Sequence, residues 1–191
     1  GQTADELALY TQTLQNVQDD HPDFHLDLGD TFAMDPSPLG TGMTEAEADA
    51  AYFVQRPYLG QICHSIPFLF ILGNHENEEG WNWDDVFTPP DQSLAIVGIK
   101  ARKKYYPNPI PDAFYSGNSN PLPPEIGPIG GDSYREDYFA WEWGDALFVI
   151  IEPYHYSMIW PSEGGTYGGE GQDGEAGGDR WDWTLGIEQY L

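Results

Sequence analysis

Two short apolar runs, each ending at a glycine that is followed by polar side chains, constrain the fold of this chain more than any other feature. The first lies in PDFHLDLGDTFAMD, from Pro22 to Asp35, and the second is IPFLFILGNHE, from Ile66 to Glu76. Alternating apolar and polar residues from Phe24 to Leu28 predict a strand with two unlike faces. The unbroken apolar run from Phe68 to Leu72 predicts a strand buried on both faces.

Polar side chains follow both predicted strands. Asp30 comes after the first, and Asn74 and His75 come after the second. Because neighbouring strands of an open α/β sheet end at the same edge, where ligands collect, we expect these three residues to meet. A carboxylate can bridge two divalent cations, an amide oxygen can fill a coordination place, and an imidazole can protonate a leaving group. The alternative is an ordinary strand-end turn, in which Asp30 and Asn74 hydrogen-bond their own loops.

The chain resembles the calcineurin-like metallophosphoesterase superfamily in these motifs, GD at Gly29–Asp30 and GNHE at Gly73–Glu76. DFHLDLGDTF and ICHSIPFLFILGNHE are similar to one bacterial branch of it. The likeness continues through YYPNPIPDAFYSGN, DYFAWEWGDALFVIIEPYHY and WDWTLGIEQYL, so it covers nearly the whole chain. The resemblance implies an α/β fold that is part of a two-sheet α-β-β-α sandwich of the metallophosphoesterase type.

Functional roles follow from the resemblance. It implies that Asp30 is the bridging carboxylate, Asn74 a ligand of the second metal, and His75 the acid beside the phosphoryl group. The implied reaction is hydrolysis of a phosphoester substrate by a metal-activated hydroxide, with two divalent or trivalent ions (Fe, Mn or Zn). Many members carry an Asp or Asn three residues beyond the GD aspartate, and purple acid phosphatases carry a tyrosinate there. This chain has Ala33, so we expect no tyrosinate-bound iron; Asp35 is the nearest substitute.

Other ligands typical of the superfamily are absent from the sequence. No apolar strand that ends in an Asp-x-His pair precedes the first motif, and no Gly-His-x-His follows the second. We therefore interpret residues 1–191 as a single incomplete domain, which alone should bind metals weakly and hydrolyse nothing efficiently. His155 is not expected to be a ligand, because the resemblance places its segment one strand before the histidine-bearing ones. His25 is also not expected to be a ligand, because it lies within its strand, about 16 Å from Asp30 along an extended chain.

Charge excludes one class of function. The chain has 32 acidic and 7 basic residues, a formal net charge of −25, and so lacks the basic patch of a nucleic-acid binder. An anionic substrate would be repelled unless bound cations reversed the sign locally. The acidity suits high salt or a secreted protein, and we expect an extracellular or periplasmic location. The basic cluster Lys100, Arg102, Lys103 and Lys104 is interpreted as a solvated helix face.

Helical patterns precede and separate the two motifs. Apolar residues at three- and four-residue spacing predict a helix from Ala4 to Val17. Thr44 followed by Glu47 is a capping box, which predicts a helix that reaches about Gln61 and is kinked or split at Pro57.

The second half of the chain combines one helix, one hairpin and two irregular stretches. The helix is predicted from about Asp91 to Tyr105, and the β-hairpin turns at Gly144–Asp145. The stretches, about 106–136 and 153–183, are rich in proline and glycine. Some of residues 77–83, 106–132 and 153–179 are expected to border the strand-end crevice and to shape substrate access. The apolar runs are far too short for a membrane span.

Aromatic residues support a rival function. Six of the 7 tryptophans form W-x-W pairs, at Trp81/Trp83, Trp141/Trp143 and Trp181/Trp183. Exposed pairs could stack on sugar rings, as in a catalytically inactive, acidic extracellular binding or assembly domain. We expect Trp141 and Trp143 to be buried instead.

Cys63, the single cysteine, is expected to be an inert buried thiol. The acidic segment GGTYGGEGQDGEAGGD is interpreted as a solvated loop rather than a calcium site.

Overall fold

A computed structural model describes residues 3–32, 34, 43–78, 93–117, 122 and 128–153. The described part of the chain contains four helices and four strands. In chain order they are α1 (Ala4–Asp19), β1 (His25–Asp27), α2 (Glu45–Phe53), α3 (Arg56–Cys63), β2 (Phe68–Phe70), α4 (Leu94–Tyr105), β3 (Phe139–Trp143) and β4 (Ala146–Ile150). The predictions for His155, Ala33, Asp35, the 153–183 stretch beyond its first residue, and the other four paired tryptophans lie outside the described residues.

Side-chain caps explain where the first helices begin. Thr44 accepts a hydrogen bond from the Glu47 N–H, and the Glu47 carboxylate accepts from the Thr44 N–H, so the predicted capping box is confirmed. Thr3 caps α1 in the same way. The helix predicted up to about Gln61 is divided into α2 and α3, and Pro57 lies in the first turn of α3, where its missing N–H costs no hydrogen bond.

β1 and β2 form a parallel pair, as the two motifs predict. Leu26 lies opposite Leu69, and the Ile71 N–H donates to the Asp27 carbonyl at 2.9 Å. The other edge of β2 is closed by a side chain: the Asn108 amide accepts from the Phe70 N–H at 2.9 Å and donates to the Phe70 carbonyl at 2.6 Å. Asn108 thus stands where a further strand would pair.

The strand β2 has a core on each of its two faces, and β1 is half-buried. Phe70 and Leu72 belong to a core that also holds residues of all four helices, whereas Leu69 packs with Phe139 and Trp141 of the hairpin. Alternate residues of β2 therefore face opposite cores, because successive side chains of a strand point to opposite faces. The mixed α/β character is confirmed, and the described residues form two two-stranded sheets.

β3 and β4 form the predicted antiparallel hairpin, with Gly144 in its turn at φ 61°. Trp141 is buried and stacks on Phe148 with ring centroids 4.9 Å apart. Trp143 is 46% exposed, so the expectation that both tryptophans are buried is wrong for this one. Trp143 lies at the end of the strand, where the ring of Phe24 lies beside it with centroids 6.0 Å apart and leaves much of the indole uncovered.

The expectation of a solvated basic face on α4 is wrong for two of its four residues. Arg102 and Lys103 are buried, whereas Lys100 and Lys104 lie on the surface and pair with Glu45 and Asp49 of α2. The buried charges belong to a group that we call the ionic cluster: Arg102, Lys103, Arg135, Glu78, Asp132, Glu136 and Asp137. Burial is possible because each cation has a carboxylate within ion-pair distance.

The prediction of a buried thiol at Cys63 is also wrong. Cys63 ends α3 and is exposed, although partial burial raises the pKa of its thiol. Successive side chains of a helix point about 100° apart, so Ile62 faces the core and is fully buried while Cys63 points away from it. Among the described residues, no helix is both long and apolar enough to cross a membrane.

Candidate functional site

The two loops that leave β1 and β2 touch each other. We call residues 28–32 and 71–76 the strand-end loops. Gly29 has φ +87°, and a Cβ on it would overlap the backbone nitrogen of Gly73. A Cβ on Gly73 would overlap Oδ1 of Asp30. Both glycines of the sequence motifs are thus needed for the close approach of the two chains, in addition to the conformational freedom that Gly29 requires.

Asp30 and His75 are joined across this contact. The Asp30 carboxylate accepts the His75 backbone N–H at 3.1 Å, and Asp30 itself has a positive φ of 57°. Asp30 and His75 are exposed and Asn74 is half-buried. The structure therefore joins Asp30 to the backbone of the loop that carries Asn74 and His75, and it leaves the side chains of Asp30 and His75 exposed.

Glu76 connects the two loops from beneath. Its side chain is fully buried, and its carboxylate accepts the backbone N–H groups of Asp30 at 3.0 Å, Phe32 at 3.0 Å and Gly73 at 2.7 Å. Burial raises the pKa of the Glu76 carboxyl to about 7, against the lowering effect of these three donors. Sequence reasoning missed this role, although an acid next to turn glycines, whose N–H groups need acceptors, was a usable sign.

The strand-end turn considered as the alternative is present, but a different residue makes it. Asp27 accepts the Gly29 N–H at 3.0 Å and the Thr31 hydroxyl at 2.7 Å, which closes the turn after β1. Asp30 instead faces the neighbouring loop. The Asp30 carboxylate therefore does not take part in the hydrogen bonds of the turn after β1.

The chain after His75 is also held firmly. The His75 carbonyl accepts the Met34 N–H at 2.9 Å and the Asn77 side-chain amide at 3.1 Å. Asn77 has φ 60° and is buried, as is Glu78 after it. The backbone on both sides of the His75 imidazole is thus fixed by hydrogen bonds.

The donors at this edge suit a hard or borderline metal ion, with one carboxylate from Asp30 and one amide oxygen from Asn74. Among the described residues, no group of three or more His, Cys, Asp or Glu side chains is placed to hold a metal ion. His25 lies in β1 and stacks on Phe68, with ring centroids 5.7 Å apart. Asp30 and Asn74 therefore do not make a complete metal site within the described residues, and their role as ligands stays a prediction.

No family model, curated protein or solved structure matches the chain.

Proposed function

We propose that the chain is part of a metal-dependent phosphoester hydrolase of the calcineurin-like type, with its site at the strand-end loops. The finer fold that goes with this proposal is a two-sheet α-β-β-α sandwich. Its support is the arrangement of helices on one face of the parallel pair and the β3–β4 hairpin on the other.

The observation that carries the proposal is the junction built by Glu76. One buried carboxylate gathers three backbone N–H groups from two loops, and so holds Asp30 and His75 in register at the surface. Asp30 is exposed and has a positive φ of 57°, a conformation that carries some strain even for aspartate, which adopts it more readily than most residues. Such strain is typical of functional sites.

The roles follow from the chemistry of each side chain. Asp30 and Asn74 would hold the cations, which when bound supply charge neutralisation at the phosphoryl group and activation of water. The His75 imidazole donates a proton to the leaving oxygen, for which its exposed position beside Asp30 is suited. The net charge of −25 supports a need for cations, because an anionic substrate would otherwise be repelled. A location outside the cytoplasm remains part of the proposal and rests on this acidity.

The rival carbohydrate-binding function depends on exposed tryptophan pairs. In the described pair, Trp141 is 3% exposed and packs in the hairpin core, so only Trp143 is open to solvent. One ring at a strand end does not make a flat stacking platform for a sugar. This pair therefore gives the rival no support.

The test is hydrolysis of p-nitrophenyl phosphate and of bis-p-nitrophenyl phosphate by the protein at its natural length, with Mn²⁺, Zn²⁺ or Fe²⁺ added. Asp30→Ala should abolish turnover, and His75→Gln should lower kcat by about 10²–10⁴-fold through loss of the proton donor. Asp145→Ala is the matched control, because Asp145 is exposed in the hairpin turn. This turn follows Trp143, which lies beside Phe24 just before β1. It is therefore at the opposite end of β1 from the strand-end loops.

Turnover that survives Asp30→Ala unchanged would overturn the proposal. So would a wild-type protein that hydrolyses neither ester with any of the three metals.

A further inference from the structure

Arg102 on α4 is the most completely enclosed cation of the described residues. Its side chain is 0% exposed, and its guanidinium forms a fork with Glu78, with Nε to Oε1 at 2.7 Å and Nη2 to Oε2 at 2.9 Å. The remaining donors reach the main-chain carbonyls of Arg135 and Glu136. A two-pronged contact of this kind fixes orientation as well as distance, because both N–H groups must align with both oxygens.

Glu78 belongs to the same stretch of chain as the candidate site. It follows His75 by three positions and Glu76 by two. Its backbone carbonyl also accepts the Arg135 guanidinium at 2.8 Å. Glu78 is therefore anchored at both its side chain and its main chain, and the segment that leaves the site has little freedom to shift.

α4 also packs directly against this stretch. A Cβ added to Gly98 would lie 3.1 Å from the Glu76 carbonyl oxygen and 3.5 Å from Cγ of Glu78. The helix backbone and the Arg102 fork thus approach the segment 76–78 from the same side. A displacement of Glu78 would be passed to Glu76, whose carboxylate holds both strand-end loops, and so to Asn74 and His75.

We propose that Arg102 is a positioning residue for Asn74 and His75, acting through Glu78. This inference rests on the proposed hydrolase function, which gives Asn74 and His75 their roles. The contacts between Arg102 and Glu78 do not depend on that function. Arg102 would not touch substrate or metal. Its role is to fix the position and orientation of residues 71–76 relative to Asp30.

Lys103, the next residue of α4, separates this role from mere burial of a charge. Its ammonium is also buried, and it pairs with Asp132 at 2.6 Å and with Glu136 at 2.8 Å. Its third contact is the Tyr134 carbonyl, so within the described part of the chain the ammonium bonds to the segment 128–137 rather than to residues 73–78. Lys103→Met therefore removes a buried ion pair from the same helix without releasing Glu78.

The experiment compares Arg102→Lys with Lys103→Met in the protein at its natural length. The first readout is hydrogen exchange of the His75 backbone N–H, which the Asp30 carboxylate accepts. Lysine keeps the charge of Arg102 but cannot form the fork, so exchange in Arg102→Lys should be about tenfold faster than in wild type. Lys103→Met should leave it unchanged under conditions where this N–H exchanges by local opening rather than by global unfolding.

The second readout is the affinity for Mn²⁺ alone, measured by calorimetry, together with kcat and KM for p-nitrophenyl phosphate. Arg102→Lys should weaken binding about tenfold and lower kcat with little change in KM, since the loop carries both Asn74 and His75. Lys103→Met should match wild type in both, measured at a temperature where each variant is folded by circular dichroism.

The two ideas can fail separately. Equal His75 exchange in wild type and Arg102→Lys would overturn the positioning role, and so would equal losses in both variants. A wild type that neither binds Mn²⁺ nor hydrolyses an ester would overturn the proposed function, while the exchange result would still decide whether Arg102 positions the loop. If Arg102→Lys does not fold, Glu78→Gln is the substitute: it keeps the loop packed and weakens the same fork, and the same outcomes apply.

Discussion

The strand-end loops and the ionic cluster both bury carboxylates, but they satisfy them differently. In the loops, Glu76 accepts three backbone N–H groups, while Asp30 and His75 keep their own side chains at the surface. In the cluster, Glu78 and Glu136 meet the side chains of Arg102 and Lys103, so charge is cancelled by charge. One arrangement organises a backbone, and the other neutralises a set of ions.

This difference decides which region can act on a ligand. A carboxylate that holds only backbone groups leaves the side chains of Asp30 and His75 facing solvent, and the net negative character of the edge remains available to cations. The opposite charges of the cluster pair with one another, and all of its members except Asp132 are buried. The cluster is therefore suited to holding the loops in place, and the loops are suited to chemistry.

Removal of one charge from the cluster should have the largest effect on stability. Arg102→Met leaves Glu78 buried without its cation, and loss of one partner of a buried pair costs about 3–5 kcal/mol of unfolding free energy. Urea unfolding measures it. Adding Glu78→Met to this variant should recover part of the loss, because apolar side chains can fill the space of an ion pair. A single variant as stable as wild type would show that the cluster is not held by charge.

Glu76→Gln should have the next largest effect. An amide NH₂ replaces one accepting oxygen, so at least one buried backbone N–H loses its partner, which costs about 1–3 kcal/mol. Glu142→Gln is the same chemical change at an exposed position of β3 and should be neutral. Equal midpoints of urea unfolding for the two variants would mean that the Glu76 junction does not stabilise the loops.

The cap of α2 is an exposed counterpart of the buried Glu76 junction, so it shows how much burial adds to the stabilisation. Glu47 also accepts a backbone N–H, that of Thr44, but both residues are exposed. Thr44→Ala should cost about 1 kcal/mol, a typical value for loss of an N-cap, with the exposed mid-helix change Thr13→Ala as control.

Acid should weaken the half of this capping box that the Glu47 carboxylate provides. Hydrogen bonds from Thr44 lower the pKa of Glu47, so its contribution to stability is present above the ordinary glutamate pKa. That contribution is lost as the pH falls through the lowered value. The difference between wild type and Thr44→Ala, followed by urea unfolding, should therefore shrink in that pH range. A difference that stays constant with pH would exclude Glu47 as the partner.

Lys104→Met should have the smallest effect, because its pair with Asp49 lies at the surface, where solvent screens it. Its urea midpoint should coincide with that of wild type. A loss comparable to that of Arg102→Met would remove the contrast between the two faces of α4.

Several elements could be predicted because their causes are local. The Thr44 capping box, the helix split near Pro57 and the Gly144 turn each depend on residues within a few positions of one another. The meeting of Asp30 and His75 was predictable for a different reason. Two adjacent parallel strands end at one edge, so position in the chain was enough to place the residues after each strand.

The errors share a cause that lies outside any local window. Arg102 and Lys103 are consecutive in a basic stretch that reads as surface, but their carboxylate partners lie in the segments 76–78 and 132–136. The exposure of Trp143 and Cys63 also depends on which faces the neighbouring elements cover. No spacing rule on a single helix or strand contains that information.

The sequence by itself determined the strands, the caps, the hairpin and the set of polar residues at the sheet edge, because these follow from side-chain periodicity and turn chemistry. Only the tertiary structure decided that Glu76 would hold both strand-end loops and that Arg102 would be buried against Glu78. The physical reason is that a buried polar group needs a partner, and folding decides which distant residue supplies it. Local patterns specify what a segment can be, and packing specifies what it meets.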